Sequence, residues 1–63
     1  MKYLDEQLFE ACKIGTIEEI ERLIKTGANV NAANDYGETA LMWASLSGYT
    51  EIAKLLIKAG AKE

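Results

Sequence analysis

The chain has 63 residues, one cysteine, no histidine and no proline, with seven basic against ten acidic side chains for a net charge of -3. That length allows one small domain with a thin core. A single cysteine excludes an internal disulfide, one cysteine without histidine cannot make a structural zinc site, and no histidine-based catalytic pair can form.

Apolar residues make up 49% and charged residues 27%, the usage of an ordinary folded chain. No apolar run reaches the ~20 residues of a membrane span, and the first residues show no secretory apolar stretch. The lone thiol fits a reducing compartment, so a cytoplasmic location is expected. The acidic balance argues against nucleic acid as a partner, which would call for a basic patch.

In chain order, the first stripe at helical spacing is Leu8, Phe9, Ala11 and Cys12. Asp5 is expected to cap this helix, with Leu4 and Phe9 as a hydrophobic staple. Gly15 should end it. Thr16 and Glu19 then have capping-box spacing before a second stripe of Ile20, Leu23 and Ile24, closed by Gly27. Glu18 with Arg22 and Glu21 with Lys25 are i,i+4 pairs on its outer face. Residues 27–37 hold three Asn, one Asp and two Gly, the chemistry of turns, so a hairpin-like loop is expected with Val30 turned inward. Thr39 caps a third helix, with Leu41, Ala44 and Ser45 inward and Gly48 as stop. Thr50 caps a fourth helix carrying Ile52, Leu55 and Leu56, and Gly60 closes it.

Sliding the chain by 33 positions brings ten residues onto identical ones, where chance gives about two. Gly15 falls on Gly48, Gly27 on Gly60, Ala11 on Ala44, Leu8 on Leu41 and Leu23-Ile24-Lys25 on Leu56-Ile57-Lys58. The chain is therefore one unit written twice, with repeats of about 1–33 and 34–63 in a single domain.

The second unit reads Asp35-Tyr36-Gly37-Glu38-Thr39-Ala40-Leu41-Met42-Trp43-Ala44-Ser45, then Gly48-Tyr49-Thr50-Glu51-Ile52-Ala53-Lys54-Leu55-Leu56, and Gly27-Ala28-Asn29-Val30-Asn31-Ala32 precedes it. In these segments the chain resembles the ankyrin-repeat family over nearly its whole length. The resemblance implies an all-α fold of two helix-loop-helix repeats of 33-residue period, joined by a β-hairpin-like loop. Four positions depart from the family pattern. Ala40 replaces its Pro, Met42 and Tyr49 replace its two His, and Asn34 replaces Asp. Met42 cannot donate the hydrogen bond by which that His joins Thr39. The first repeat lacks the Thr-Pro-Leu-His segment and resembles an N-terminal cap, with Glu6, Glu10 and Lys13 outward, so Met1 is expected to be a true start. The last helix has no polar cap after it, so part of its apolar surface should be exposed.

The resemblance implies a non-catalytic module that binds a protein partner through loop tips and the exposed face of the first helices. The positions concerned are Lys2, Tyr3, Asp5, Lys13 and Ile14 in the first repeat, and Ala33, Asp35, Tyr36, Glu38, Leu46 and Ser47 in the second. Tyr3 and Tyr36 lie one period apart and could stack, and tyrosine is favoured at interfaces. Leu46 and Ile14, also read as one period apart, form an apolar pair on a polar face, which can mark a contact or be ordinary scatter. The alternative is a self-assembly unit docking through Ile52, Leu55 and Leu56 onto another copy or further repeats, which makes the chain a monomer or a weak homodimer. No cofactor or metal, and no membrane or nucleic-acid partner, is expected. The acid pairs Asp5-Glu6 and Glu18-Glu19 suit helix N-termini. Cys12 is read as a packing residue and Trp43 as core. Gly37-Glu38-Thr39 lacks the lysine and the glycine run of a phosphate loop.

Overall fold

The computed structural model describes residues 2–62. Met1, with the expectation about the chain's start, and Glu63 lie outside them. Among the described residues four helices follow one another: α1 Tyr3–Ile14, α2 Ile17–Thr26, α3 Ala40–Leu46 and α4 Thr50–Lys58. They form two antiparallel pairs. α1 packs on α2, α3 on α4, and α1 on α3, so the first helix of each pair makes the main joint between the pairs. The extents are 25 × 25 × 20 Å. This is the all-α pair of helix-loop-helix repeats that the sequence implied.

Helices of seven to twelve residues are marginal alone, and burial of one face holds them. A single cluster joins both pairs. Leu8, Cys12, Ile20, Leu23 and Leu56 are essentially inaccessible, and Ala11, Ala40, Leu41, Ala44 and Ile52 fill between them. Ala11 of α1 and Ala40 and Ala44 of α3 are small buried members of this cluster. Val30 points inward, 8% exposed, and anchors the loop as expected.

The helix ends differ from the sequence reading in detail. α1 begins two residues before Asp5, with Lys2 at its N-cap. Asp5 therefore lies in the first turn, and its carboxylate accepts from the Asn29 backbone N–H at 2.7 Å. That leaves the expected Leu4–Phe9 staple inside the helix. The Thr16 side chain makes no cap bond, and Arg22 pairs with Glu19, which removes Glu19 from the expected capping box and Arg22 from Glu18. Thr50 is the first residue of α4 and not its cap, which is Tyr49. Ser45 is exposed and not inward. Thr39 caps α3 as read, its hydroxyl accepting from Met42 N–H at 3.3 Å.

The loop between the pairs is built on asparagines. Asn29 Oδ1 accepts from Asn31 N–H at 2.9 Å. Asn34 Oδ1 accepts from the backbone N–H groups of Tyr36 and Glu38, at 2.9 and 3.0 Å. Asn34 N–H donates to the Glu38 carbonyl at 3.0 Å, and Ala33 and Thr39 form an antiparallel bridge. The hairpin-like form follows from these bonds, which occupy backbone groups that no sheet satisfies.

Candidate partner-binding face

Tyr3, Lys13 and Ile14 lie on α1, Leu46 lies at the end of α3 with Ser47 as its cap, and Ala33, Asp35, Tyr36 and Glu38 lie on the loop. Among the described residues, the large apolar side chains most open to solvent belong to this set: Tyr36 at 88%, Leu46 at 81%, Tyr3 at 74% and Ile14 at 71%. Glu38 is the exception to exposure. It is half-buried because its carboxylate accepts from Asn34 Nδ2 at 2.8 Å.

The structure brings some of these together and not others. Lys13 and Asp35 line one groove of about 350 Å³, with Glu6, Gln7, Phe9, Glu10 and Asn34. Glu38 and Leu46 line a second, smaller one with Met42 and Trp43. Tyr3 and Tyr36 do not stack. Tyr3 opens α1 while Tyr36 sits in the turn before α3, because α1 starts four residues earlier in its repeat than α3 does. Among the described residues the aromatic pair is Phe9 with Trp43, edge to face, with ring centres 6.0 Å apart and planes at 76°. Nor are Ile14 and Leu46 equivalent. The 33-residue register sets Leu46 against Lys13 and Ile14 against Ser47.

Trp43 is half-buried rather than core, and its indole N–H is shielded from solvent without a hydrogen-bond acceptor among the described residues. The Lys13 ammonium lies 4.8 Å from the Trp43 ring centre and 5.0 Å from that of Phe9. Glu10 Oε1 stands 3.7 Å from the same nitrogen. Phe9, Trp43 and Glu10 were not among the sequence-derived partner-binding positions, although Glu10 was read as outward. The repeat slide does not pair them, since Phe9 falls on Met42 and Glu10 on Trp43, so no periodic signal marked this corner.

The second candidate surface needs correction. Ile52 and Leu56 are 3% and 0% exposed, so they are core and cannot form a docking face. Leu55 is half-buried and turns into the cleft between α2 and α4 beside Ile24 and Lys25. The open end of the stack is instead a groove of about 890 Å³ lined by Leu41, Met42, Leu46 and Ile57, with Asn31, Thr39, Ser45 and Lys62 around them. The reason is geometric. Ile52 and Leu56 of α4 are buried in the shared core and Leu55 turns toward α2, while the outer side of α3 is left bare.

Burial pushes the Cys12 thiol from 9.0 up to about 11, the opposite of an activated nucleophile. Among the described residues no group of three or more possible metal ligands gathers. Among them, too, no helix is long and apolar enough to cross a membrane.

Stacked short helix pairs with a turn-rich loop between them, one shared core and open loop tips define a helical repeat protein. The model of the family described as ankyrin repeats (3 copies) matches residues 5–63. The chain is 39% identical over 56 residues to an ankyrin repeat-containing protein of Saccharomyces cerevisiae, covering 89% of this chain and 11% of that protein. It is 36% identical over 61 residues to ankyrin repeat domain-containing protein 40 of Homo sapiens, covering 95% of this chain and 17% of the other. It is 39% identical over 57 residues to the human mitochondrial disaggregase, covering 90% and 8%. The chain belongs to the ankyrin-repeat family, whose repeats are generally non-catalytic protein-interaction modules. It spans less than a fifth of the length of these three relatives.

Proposed function

We propose that the chain is a non-catalytic cytoplasmic module that binds a protein partner through the loop tip and the outer face of α1 and α3. The observation that carries this reading is the concentration of exposed large apolar side chains there. Tyr3, Ile14, Tyr36, Met42 and Leu46 all lie on α1, α3 or the loop, whereas α2 and α4 expose only Ile17 and Ile57, at 38% and 41%. Exposed apolar side chains rimmed by charge are the pattern of a contact surface. The test is a pull-down from source cells with the chain as bait, beside a variant carrying Tyr36→Ala and Leu46→Ser. Both residues are exposed, so helicity should be kept while a captured protein is lost. Retention of that protein by the variant places the interface elsewhere.

A second reading is weak self-association through the open end of the stack, favoured by the bare groove at Leu41, Met42, Leu46 and Ile57. Leu46 lines that groove too, so Ile57→Lys is set beside Tyr36→Ala alone to separate the two, because Ile57 lies on the groove and Tyr36 does not. Concentration-dependent dimers lost on Ile57→Lys support assembly, and a monomer at all concentrations removes it.

A further inference from the structure

The formal charge is divided unevenly between the two sides of the fold. α2 and α4 carry four acids and four bases: Glu18, Glu19, Glu21 and Glu51 against Arg22, Lys25, Lys54 and Lys58. The α1 side, from Lys2 through Lys13 and including the loop before α3, carries five acids and two bases. The whole net charge of -3 therefore sits on the side that also bears the exposed tyrosines.

On that side one place already holds a cation. The Lys13 ammonium rests in the corner formed by the crossed rings of Phe9 and Trp43, about equally far from both centres, and Glu10 is its carboxylate contact. The adjoining groove is lined by Glu6, Glu10 and Asp35, with Lys13 as the base among its lining residues. Among the described residues Glu6 and Asp35 form no ion pair, and all three acids are exposed.

We propose that this aromatic corner and its groove form a receptor for an arginine side chain on a basic segment of the protein partner, with Lys13 as an internal placeholder that swings out when the arginine enters. The proposal rests on the reading of this face as the partner surface and names the chemistry of that partner. Exposed cation–π contacts and surface ion pairs are individually weak, so Lys13 is held loosely enough to be displaced. Lys13 is on the last turn of α1 and its side chain is 36% exposed, which leaves it a path into solvent. Arginine suits the vacated corner better than lysine. Its flat guanidinium stacks on the Trp43 face while its remaining N–H groups reach a carboxylate in the groove.

The test is a titration of isotope-labelled full chain, followed by NMR, with the blocked peptide acetyl-Gly-Arg-Gly-amide and its lysine and glutamate counterparts at fixed ionic strength. The expected result is a shift of the Trp43 indole N–H and of α1 and loop amides with the arginine peptide, larger than with lysine, and none with glutamate. Lys13→Met should tighten binding about threefold, and Glu10→Gln with Asp35→Asn should weaken it about fivefold or more, as loss of exposed charge partners allows. All these positions are exposed, so the variants should keep the fold, which circular dichroism checks. Lys25→Met on the opposite side removes the same charge and serves as control. Equal tightening by Lys25→Met, shifts spread over α2 and α4, or equal binding of the lysine peptide overturns the proposal. Failure here is separable from failure of the surface itself. A protein captured through Tyr36 and Leu46 but indifferent to Glu10 and Asp35 leaves the surface standing and removes the arginine receptor.

Discussion

Asn31 holds Lys62 across the second repeat: its Oδ1 accepts from the Lys62 backbone N–H at 2.8 Å, while its Nδ2 donates to the Gly60 carbonyl at 3.0 Å. The equivalent backbone N–H one period earlier is that of Asn29, and there the acceptor is Asp5. The same donor is thus satisfied in each repeat by a different acceptor: by a carboxylate on the first helix of its own repeat in the first, and by the loop before the repeat in the second.

Asn31→Ala should therefore loosen the segment after α4. Two hydrogen bonds to backbone are lost at a partly solvated site, which predicts a cost of about 1 kcal/mol. Urea unfolding measures it, and amide exchange should quicken at Lys62. An unchanged midpoint would show that the clamp contributes nothing.

The Asn34–Glu38 pair yields a sharper expectation. The family's usual residue at this place is Asp, so the substitution Asn34→Asp would restore the consensus. Here the Asn34 amide donates to the Glu38 carboxylate, so a second carboxylate would replace a bond by a repulsion. Asn34→Asp should destabilise by about 1 kcal/mol, and Glu38→Gln should recover most of that. Thermal unfolding of the two single variants and the double variant tests the coupling.

Gly15 has the positive φ of 89° that ends α1, and it also lies beneath a ring. A Cβ there would meet Tyr49 Cζ at 3.0 Å, whereas at Gly27, with φ of 117°, it would meet nothing within 4 Å. Both Gly→Ala changes carry the left-handed backbone penalty of about 1 kcal/mol. Gly15→Ala should cost clearly more, since the Tyr49 ring must move from the seam between the repeats. Equal losses of stability in the two variants would mean that the ring gives way freely.

Cys12 links stability to alkaline pH. The folded thiol keeps its proton up to about 11 because burial disfavours the thiolate, while the unfolded chain releases it near 9.0. The stabilisation is fully present below the unfolded value of 9.0 and is lost as pH rises towards about 11, since the unfolded state binds fewer protons there. Cys12→Ala should show a shallower loss of stability over that window in urea melts at several pH values. A thiol reagent at mildly alkaline pH should label the native chain slowly and the unfolded chain fast.

The repeat, the four helices and the inward Val30 were legible in the sequence because glycine stops and apolar periodicity survive any detail of packing. Caps were less so. Thr16, Thr39 and Thr50 all read as helix caps, yet only Thr39 makes the side-chain cap bond, and Thr50 lies inside α4. Local sequence does not say that Glu19 is taken by Arg22 or that α4 starts one residue early. The docking stripe at Ile52 and Leu56 failed for a related reason: periodicity tells that a helix face is apolar, and not which neighbour it meets. The Lys13 corner needs residues from two repeats, Phe9 and Trp43, and no single stripe contains it.

The joint between α1 and α3 has a consequence for how the molecule comes apart. The buried cluster is distributed over both helix pairs, and neither pair holds a full set of apolar neighbours by itself. Peeling one repeat away would leave the other without an inside, so no half-open state should accumulate. The sole tryptophan stands at that seam. Its emission should therefore report the loss of the whole structure in one step, coincident with the loss of helix, as a single cooperative unit.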